Sequence, residues 1–199
     1  MNEEKVAKSV SPMTYVVDDA VGVAKSYWFV AIVNHNAEKS VAEKIGKLGI
    51  ECYLPSQTEI RVWRNGRKSK VERMVIPSTV FVHCTEQMRK EIVAMSFINR
   101  FMTDKAATTL STGNKPLAII PDNQIEKLKF MLGQSDIPVE ISNQPYKHGD
   151  CVRVVRGQLR GLEGEIINLN DGKGELVVAL NFFGNAKVAI DMVNVEHIN

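Results

Sequence analysis

The densest concentration of charge in this sequence lies between positions 61 and 73. Only Glu72 opposes six basic side chains there, which are Arg61, Arg64, Arg67, Lys68, Lys70 and Arg73. Cationic side chains at this density bind phosphates well, because neutralising a polyanion releases its condensed counterions. Lysine and arginine also protect exposed strand edges from aggregation. The pattern is therefore consistent with a phosphate-contacting finger and with a solvated edge.

The sequence around these charges predicts a β-hairpin. Asn65-Gly66 separates two stretches in which apolar and polar residues alternate. Both central positions of a type I′ turn need positive φ, which Asn and Gly tolerate, so we expect this turn to carry the basic side chains.

Two further groups of residues are candidates for binding proteins. The first is mostly apolar and comprises Trp28, Phe29, Ile76, Pro77, Thr79 and Phe81. The second is Phe182-Phe183-Gly184, in which two adjacent aromatic side chains on a strand would point to opposite faces. For both groups the alternative is ordinary core packing.

Residues suited to catalysis or metal binding are scattered. The four histidines and three cysteines form no HExxH, CxxC or Cys-His spacing, and the sequence contains no GxSxG motif. We therefore expect no enzyme, no metal site and no cofactor. Unpaired cysteines, the lack of a signal sequence and the absence of a long apolar run favour a cytoplasmic protein without a membrane partner.

Periodicity divides the chain into four segments. Residues 1–23 read as a flexible arm, 24–135 as a mixed domain of strands and helices, 136–146 as a linker, and 147–199 as a small β-barrel. In the mixed domain, Asn36, Thr85 and Asp122 are the expected helix starts. The fold class is α+β, with an antiparallel sheet covered by helices and a second, all-β domain.

Three glycines, Gly157, Gly161 and Gly164, interrupt the first strands of the predicted barrel. Glycine weakens a strand interior, so its use here predicts sharp bends, positive φ or close backbone approach. These glycines are thus expected to be structural. A phosphate-binding loop fits these glycines less well than a structural role, because the P-loop spacing is absent.

The stretch "DCVRVVRGQLRGLEGEIINL" resembles the KOW motif of NusG-type transcription factors and some ribosomal proteins. "YWFVAIVNHNAEKSVAEKIGKLGIECYLP", "ERMVIPSTVFVHC" and "ALNFFGNAKVAIDMVNVE" are similar to further parts of the NusG family, in the family's order. Gln158 and Ser78-Thr79 depart from the family pattern, which commonly has proline and Gly-Tyr at these places. The long arm and the basic hairpin look most like the specialised paralogues, such as RfaH and the UpxY antiterminators of capsular polysaccharide operons.

The resemblance implies a monomeric elongation and antitermination factor with an SH3-like barrel. It implies that the apolar group docks on RNA polymerase, that the hairpin contacts upstream or non-template DNA, and that the Phe182 group meets a ribosomal protein or termination factor. A housekeeping NusG and a ribosome-associated KOW protein are the alternatives. Residues 24–135 carry a net charge of +7 and residues 136–199 a net charge of −3, which disfavours a barrel that binds RNA.

Overall fold

The structure is a computed structural model that describes residues 25–105, 107–110, 113–142, 149–168, 172–180 and 183–198. The predicted arm at 1–23 lies outside these residues. The described helices are α1 (Glu38–Lys47), α2 (Glu86–Val93) and α3 (Asp122–Gln134). The described strands are β1 (Tyr27–Ile32), β2 (Glu51–Tyr53), β3 (Ser56–Val62), β4 (Lys68–Met74), β5 (Thr79–Cys84), β6 (Arg100–Phe101), β7 (Ile119–Ile120), β8 (Glu140–Ser142), β9 (Asp150–Val154), β10 (Glu163–Asn168), β11 (Lys173–Leu180), β12 (Gly184–Asp191) and β13 (Val195–His197).

An antiparallel sheet forms the centre of the first domain. Its strand order is β2-β5-β1-β6, and β7 also pairs with β1. The two central strands, β1 and β5, are apolar along almost their whole length because both faces of the sheet are covered. Successive side chains on β1 therefore enter different cores, with Trp28 on one face and Phe29 on the other.

Two helices cover the face that carries Phe29. Val41 and Ile45 of α1 and Ile92 of α2 are buried in this core. Thr85 begins α2 as expected, since its side-chain oxygen accepts a hydrogen bond from the Met88 amide at 3.3 Å. The expectation for Asn36 is wrong: it has a φ of 65°, and α1 begins after Ala37.

Helix α3 and the second domain cover the face that carries Trp28. Ile125, Leu128 and Leu132 project from α3 into this core, at the helical spacing that the sequence predicts. Buried residues of the C-terminal strands, including Phe183, belong to the same continuous core. The two domains therefore share apolar contacts in this structure.

The C-terminal β domain (residues 140–198) is a six-stranded antiparallel sheet with the order β13-β9-β10-β11-β12-β8. Its edge strand β8 comes from residues 140–142, within the segment 136–146 that the sequence predicts to be a linker. This part of the prediction is wrong, because residues 140–142 pair with β12 through residues 185–187. Residues 143–146 of the predicted linker lie outside the described residues.

The three glycines of the KOW-like segment serve two different geometries. Gly157 and Gly161 have φ values of 83° and 90°, in the left-handed region that side chains disfavour. A Cβ at Gly164 would lie 2.5 Å from the Val177 carbonyl oxygen, so this glycine permits a close approach of two strands. Both the bends and the close approach occur within one short segment.

The α+β fold class predicted from the sequence is confirmed, with a helix-covered sheet followed by an all-β domain. Among the residues that the structure describes, no helix is long and apolar enough to span a membrane.

Candidate functional site

The basic hairpin forms a two-stranded sheet of its own, made of β3 and β4. Their register runs from Ser56 opposite Met74 to Val62 opposite Lys68. Alternate side chains share a face, so Gln57, Glu59 and Arg61 lie on one side and Ile60 and Val62 on the other. The strands project the loop away from the shared cores, as the exposure of residues 60–68 shows.

The turn differs from the predicted type I′ turn. Of the two central residues, only Gly66 has a positive φ, at 77°. The Trp63 amide donates to the Arg67 carbonyl at 2.9 Å, and the Gly66 amide donates to the Trp63 carbonyl at 2.8 Å. These bonds close a three-residue loop in which the glycine takes the left-handed position. Asn65 is used differently, since its side-chain oxygen accepts the Arg67 amide at 3.1 Å.

Both carboxylates of the hairpin are engaged near its base. Glu72 accepts hydrogen bonds from Lys39 on α1 and from Ser56 on the opposite strand. The bond from Lys39 is the main reason why the pKa of Glu72 is lowered, with that from Ser56 next. Glu59 forms an ion pair with Arg73. The negative charge of the hairpin is therefore neutralised before it reaches the tip.

The cations at the tip have no such partners. All are exposed, and none forms an ion pair with a residue in the described ranges; they are Arg61, Arg64, Arg67, Lys68 and Lys70. Arg73 is separate from this group, because it is half-buried at the base. The hairpin thus has a neutral base and a strongly cationic tip.

The base of the hairpin holds the chain that leads to the second domain. The buried Gln57 side chain donates to the carbonyls of Ser135 and Ile137 at 2.8 and 2.9 Å, and accepts the Val139 amide at 2.8 Å. Arg73 donates to the Val139 carbonyl at 3.1 Å. We call these four hydrogen bonds the Gln57 clasp. No local sequence pattern predicts this clasp, because a lone glutamine on a strand has no distinctive signal.

The apolar group expected to dock on RNA polymerase is mostly buried. Trp28 is 5% exposed and Phe81 is 1% exposed, and Phe29, Ile76 and Thr79 are also buried, whereas Pro77 is exposed. Trp28 and Phe29 lie on opposite faces of the sheet, so they cannot contribute to one surface. The structure therefore brings together only the members that share the face with Trp28 or the corner at Pro77.

The corner at Pro77 contains a backbone conformation that the sequence did not predict. Ser78 has a φ of 57°, in the left-handed region that is unfavourable for a residue other than glycine. The buried carboxylate of Glu38 accepts the Ser78 amide at 2.7 Å, and the Ser78 carbonyl accepts the Val33 amide at 3.0 Å. These bonds hold the turn in place at the position where the family pattern has glycine.

The ring of Phe183 packs against Phe81 in an edge-to-face arrangement, with 5.4 Å between the ring centroids. Phe183 is buried, so its ring is not available to a partner while the two domains are in contact. Phe182 lies outside the described residues. Gly184 has a φ of 81°, and it begins β12.

A group of polar and aromatic side chains fastens α3 to the sheet beside Trp28. The Lys129 ammonium lies 4.7 Å from the Trp28 ring and 5.4 Å from the Tyr53 ring, and it pairs with Glu51 at 3.4 Å. His83 stacks on Trp28 at 4.9 Å. Burial raises the pKa of Tyr53, so its hydroxyl group stays protonated.

The residues that the structure describes form no site suited to metal binding or to thiol chemistry. In the described ranges, no group of three or more His, Cys, Asp or Glu residues is placed to hold a metal ion. The three cysteines are free. Burial raises the pKa of the Cys84 thiol to about 11, which disfavours the reactive thiolate.

Comparison with known proteins gives a consistent result. The family model described as "Transcription termination factor nusG" matches residues 26–129. The transcription termination/antitermination protein NusG of Streptococcus pyogenes serotype M3 is 25% identical, over 81% of this chain and 90% of that protein. The protein of the same name in Thermus thermophilus is 21% identical, over 74% of this chain and 83% of its own length. A solved structure titled "Domain interaction in Thermotoga maritima NusG" is 18% identical, covers 88% of this chain and 98% of that chain, and has a TM-score of 0.43.

Proposed function

The chain belongs to the NusG family of transcription termination factors, and from this premise we propose that it is an operon-specific antiterminator. In this proposal it binds RNA polymerase during elongation and suppresses pausing and termination in a small set of long operons, of the capsular polysaccharide type. Membership of the family assigns the protein to the transcription factors rather than to the enzymes.

The observation that supports this function best is the charge distribution of the hairpin. Five cations lie unpaired at an exposed tip, whereas the two carboxylates are engaged near the base. A strand edge that only has to resist aggregation needs scattered charges. It gains nothing when the neighbouring carboxylates are paired with cations at the base of the hairpin. A phosphate-binding surface gains from both features, because free cations release more counterions on contact. We assign the contact to DNA beside the transcribing polymerase.

The proposed polymerase contact uses the sheet face beside Trp28 and the corner at Pro77. Helix α3 and the C-terminal β domain contact that face, with Phe183 on Phe81. Binding through Phe81 therefore requires the C-terminal domain to separate from the first domain. The exposed Pro77 is the part of this surface that remains accessible before separation.

The test is nascent-transcript sequencing in cells with and without the gene. An operon-specific factor changes the number of transcripts that pass terminators in one or a few long operons. A change spread over most transcription units would instead assign the chain to the housekeeping role. Sedimentation of the protein with ribosomes, and not with polymerase, would favour the ribosome-associated alternative, against which the net charge of −3 in residues 136–199 argues.

A further inference from the structure

The tip of the hairpin carries an exposed indole. Trp63 is 47% exposed, whereas the other tryptophan, Trp28, is 5% exposed. Trp63 lies at the last position before the loop, where its backbone bonds to Arg67 and Gly66 fix the main chain. An aromatic residue this exposed contributes little to the core, and it leaves a large apolar surface in water.

The indole ring is also held in one orientation. Its Nε1 donates a hydrogen bond to the Ser69 hydroxyl oxygen at 2.8 Å. The Arg61 guanidinium lies over the ring, 4.9 Å from its centroid. A ring that is fixed before binding loses less conformational entropy when a ligand arrives.

The surroundings of the ring select the class of ligand. Arg64 belongs to the same loop and Arg67 lies opposite Trp63, and neither has an ion-pair partner among the described residues. Lys68 and Lys70 pair with Val62 and Ile60, so they lie on the other face of the hairpin. Phosphate-binding cations around a flat aromatic surface are the combination used to bind single-stranded nucleic acid, in which bases stack on aromatic rings. In a duplex the base faces are already stacked on one another and are not accessible to an indole.

We propose that Trp63 is a stacking site for an unpaired base, which gives the hairpin a preference for single-stranded over double-stranded nucleic acid. This inference rests on the proposed nucleic-acid contact of the hairpin and adds its specificity. Arg61 supports the ring, and Arg64 and Arg67 hold the phosphates on either side of the stacked base.

The hairpin offers a matched control on its opposite face. Ile60 and Val62 are 67% and 60% exposed, and both side chains face away from Trp63. A protein partner would use this apolar face as readily as the indole. Val62→Ala therefore removes exposed apolar surface from the same hairpin without changing the stacking ring.

The experiment measures binding of the full chain to an oligothymidylate of about 12 nucleotides, to a duplex of equal length and to an abasic strand of equal length. Base stacking of this kind contributes about 1–3 kcal/mol. Trp63→Ala should therefore weaken binding to the oligothymidylate by roughly 5- to 140-fold. Binding to the abasic strand and to the duplex should not change, and the salt dependence should stay the same because no phosphate contact is lost.

Tryptophan fluorescence gives an independent measurement. Stacking of a base on Trp63 should quench its emission, while the buried Trp28 supplies a constant background. Trp63→Phe should keep most of the affinity and lose the quenching, and Val62→Ala should behave like the unaltered chain.

Three results would overturn the inference. They are an equal loss of affinity for the abasic and base-containing strands, the absence of quenching, and a loss of polymerase association with unchanged binding to single strands. If reversal of charge at Arg64, Arg67 and Lys68 weakens binding while Trp63→Ala does not, only the stacking site is wrong. If neither change affects binding, the proposed nucleic-acid contact of the hairpin also fails.

Discussion

The corner at Ser78 shows how a single unfavourable residue is stabilised by its surroundings. A left-handed conformation costs a residue with a side chain about 1–2 kcal/mol. Glu38, buried at the start of α1, compensates by accepting the Ser78 amide with a charge-assisted bond of 2.7 Å. A serine can therefore occupy a position for which glycine would be the usual choice.

We expect Ser78→Gly to stabilise the first domain by about 0.5–1 kcal/mol, because the relief of strain exceeds the entropic cost of glycine. Glu38→Ala should destabilise it by about 1–3 kcal/mol, because the Ser78 amide loses its partner. Urea unfolding of the full chain measures both changes. Glu38→Gln keeps an acceptor oxygen and is the control, and a cost for it equal to that of Glu38→Ala would contradict this explanation.

Much of the residue-level structure could be predicted from local pattern, and some of it could not. Thr85 and the buried positions of α3 follow from capping chemistry and helical spacing, which depend on near neighbours. Gln57, Glu38 and Trp63 have roles that depend on partners distant in the sequence or on exposure. No local rule identifies such residues, although an isolated tryptophan among arginines was a usable signal.

At the scale of elements, the hairpin is the part of the molecule with the clearest electrostatic design. Its strands and its glycine were predictable from alternation and from Asn65-Gly66. The loop type was not, because Asn65 is not in the left-handed region and its side chain instead accepts the Arg67 amide. The separation of a neutral base from a cationic tip depends on Lys39, which lies on another element.

Reversing charge at Arg64, Arg67 and Lys68 to Glu should leave the fold intact, because all three side chains are exposed. It should weaken binding to an elongation scaffold and lower the salt slope by about 2 to 3, since each lost phosphate contact removes roughly 0.7–0.9. The fraction of the complex retained on the nucleic-acid scaffold, measured from low to moderate salt, gives both the affinity and the salt slope. Lys90, Arg100 and Lys105, exposed cations away from the hairpin, supply the matched reversal. Parallel salt curves for the two triple variants would mean that the tip does not contact phosphate.

The base of the hairpin should respond to acid. The folded pKa of Glu72 lies below its ordinary value of 4.5, because Lys39 and Ser56 donate to the charged form. Glu72 therefore contributes stability that is fully present above pH 4.5 and is lost as the pH falls through the lowered pKa. The free energy of unfolding, measured between neutral and acid pH, should depend less on pH in Glu72→Gln than in the unaltered chain. An unchanged profile would show that the pair with Lys39 is not maintained in solution.

At the scale of the whole molecule, the C-terminal β domain covers a surface that the first domain would otherwise expose. The contact between Phe81 and Phe183 joins two aromatic rings that are 102 positions apart in the chain, and long-range pairing of this kind has no local sequence signal. The sequence predicted that Phe182 and Phe183 point to opposite faces. It could not predict that Phe183 would face the first domain.

Residues 24–135 alone should bind RNA polymerase at lower concentration than the full chain, because the face around Phe81 is then uncovered. Phe183→Ala in the full chain should give an intermediate affinity, since it weakens the contact without removing the domain. Co-purification at a series of protein concentrations measures this, with circular dichroism as the control for folding. Equal affinity of the short and full chains would show that the C-terminal domain does not obstruct binding.

The Gln57 clasp also determines how far the second domain can travel. While the clasp holds, Ser135, Ile137 and Val139 stay bound to the base of the hairpin, and β8, which begins at the next residue, keeps the C-terminal domain beside the first domain. If the clasp opens, the free tether comprises residues 135–139 and extends to about 16–18 Å. A tether this short keeps the effective concentration of the domain near its first position high, so it returns readily. One glutamine side chain thus acts as a latch, which must open before the second domain can leave the face around Phe81.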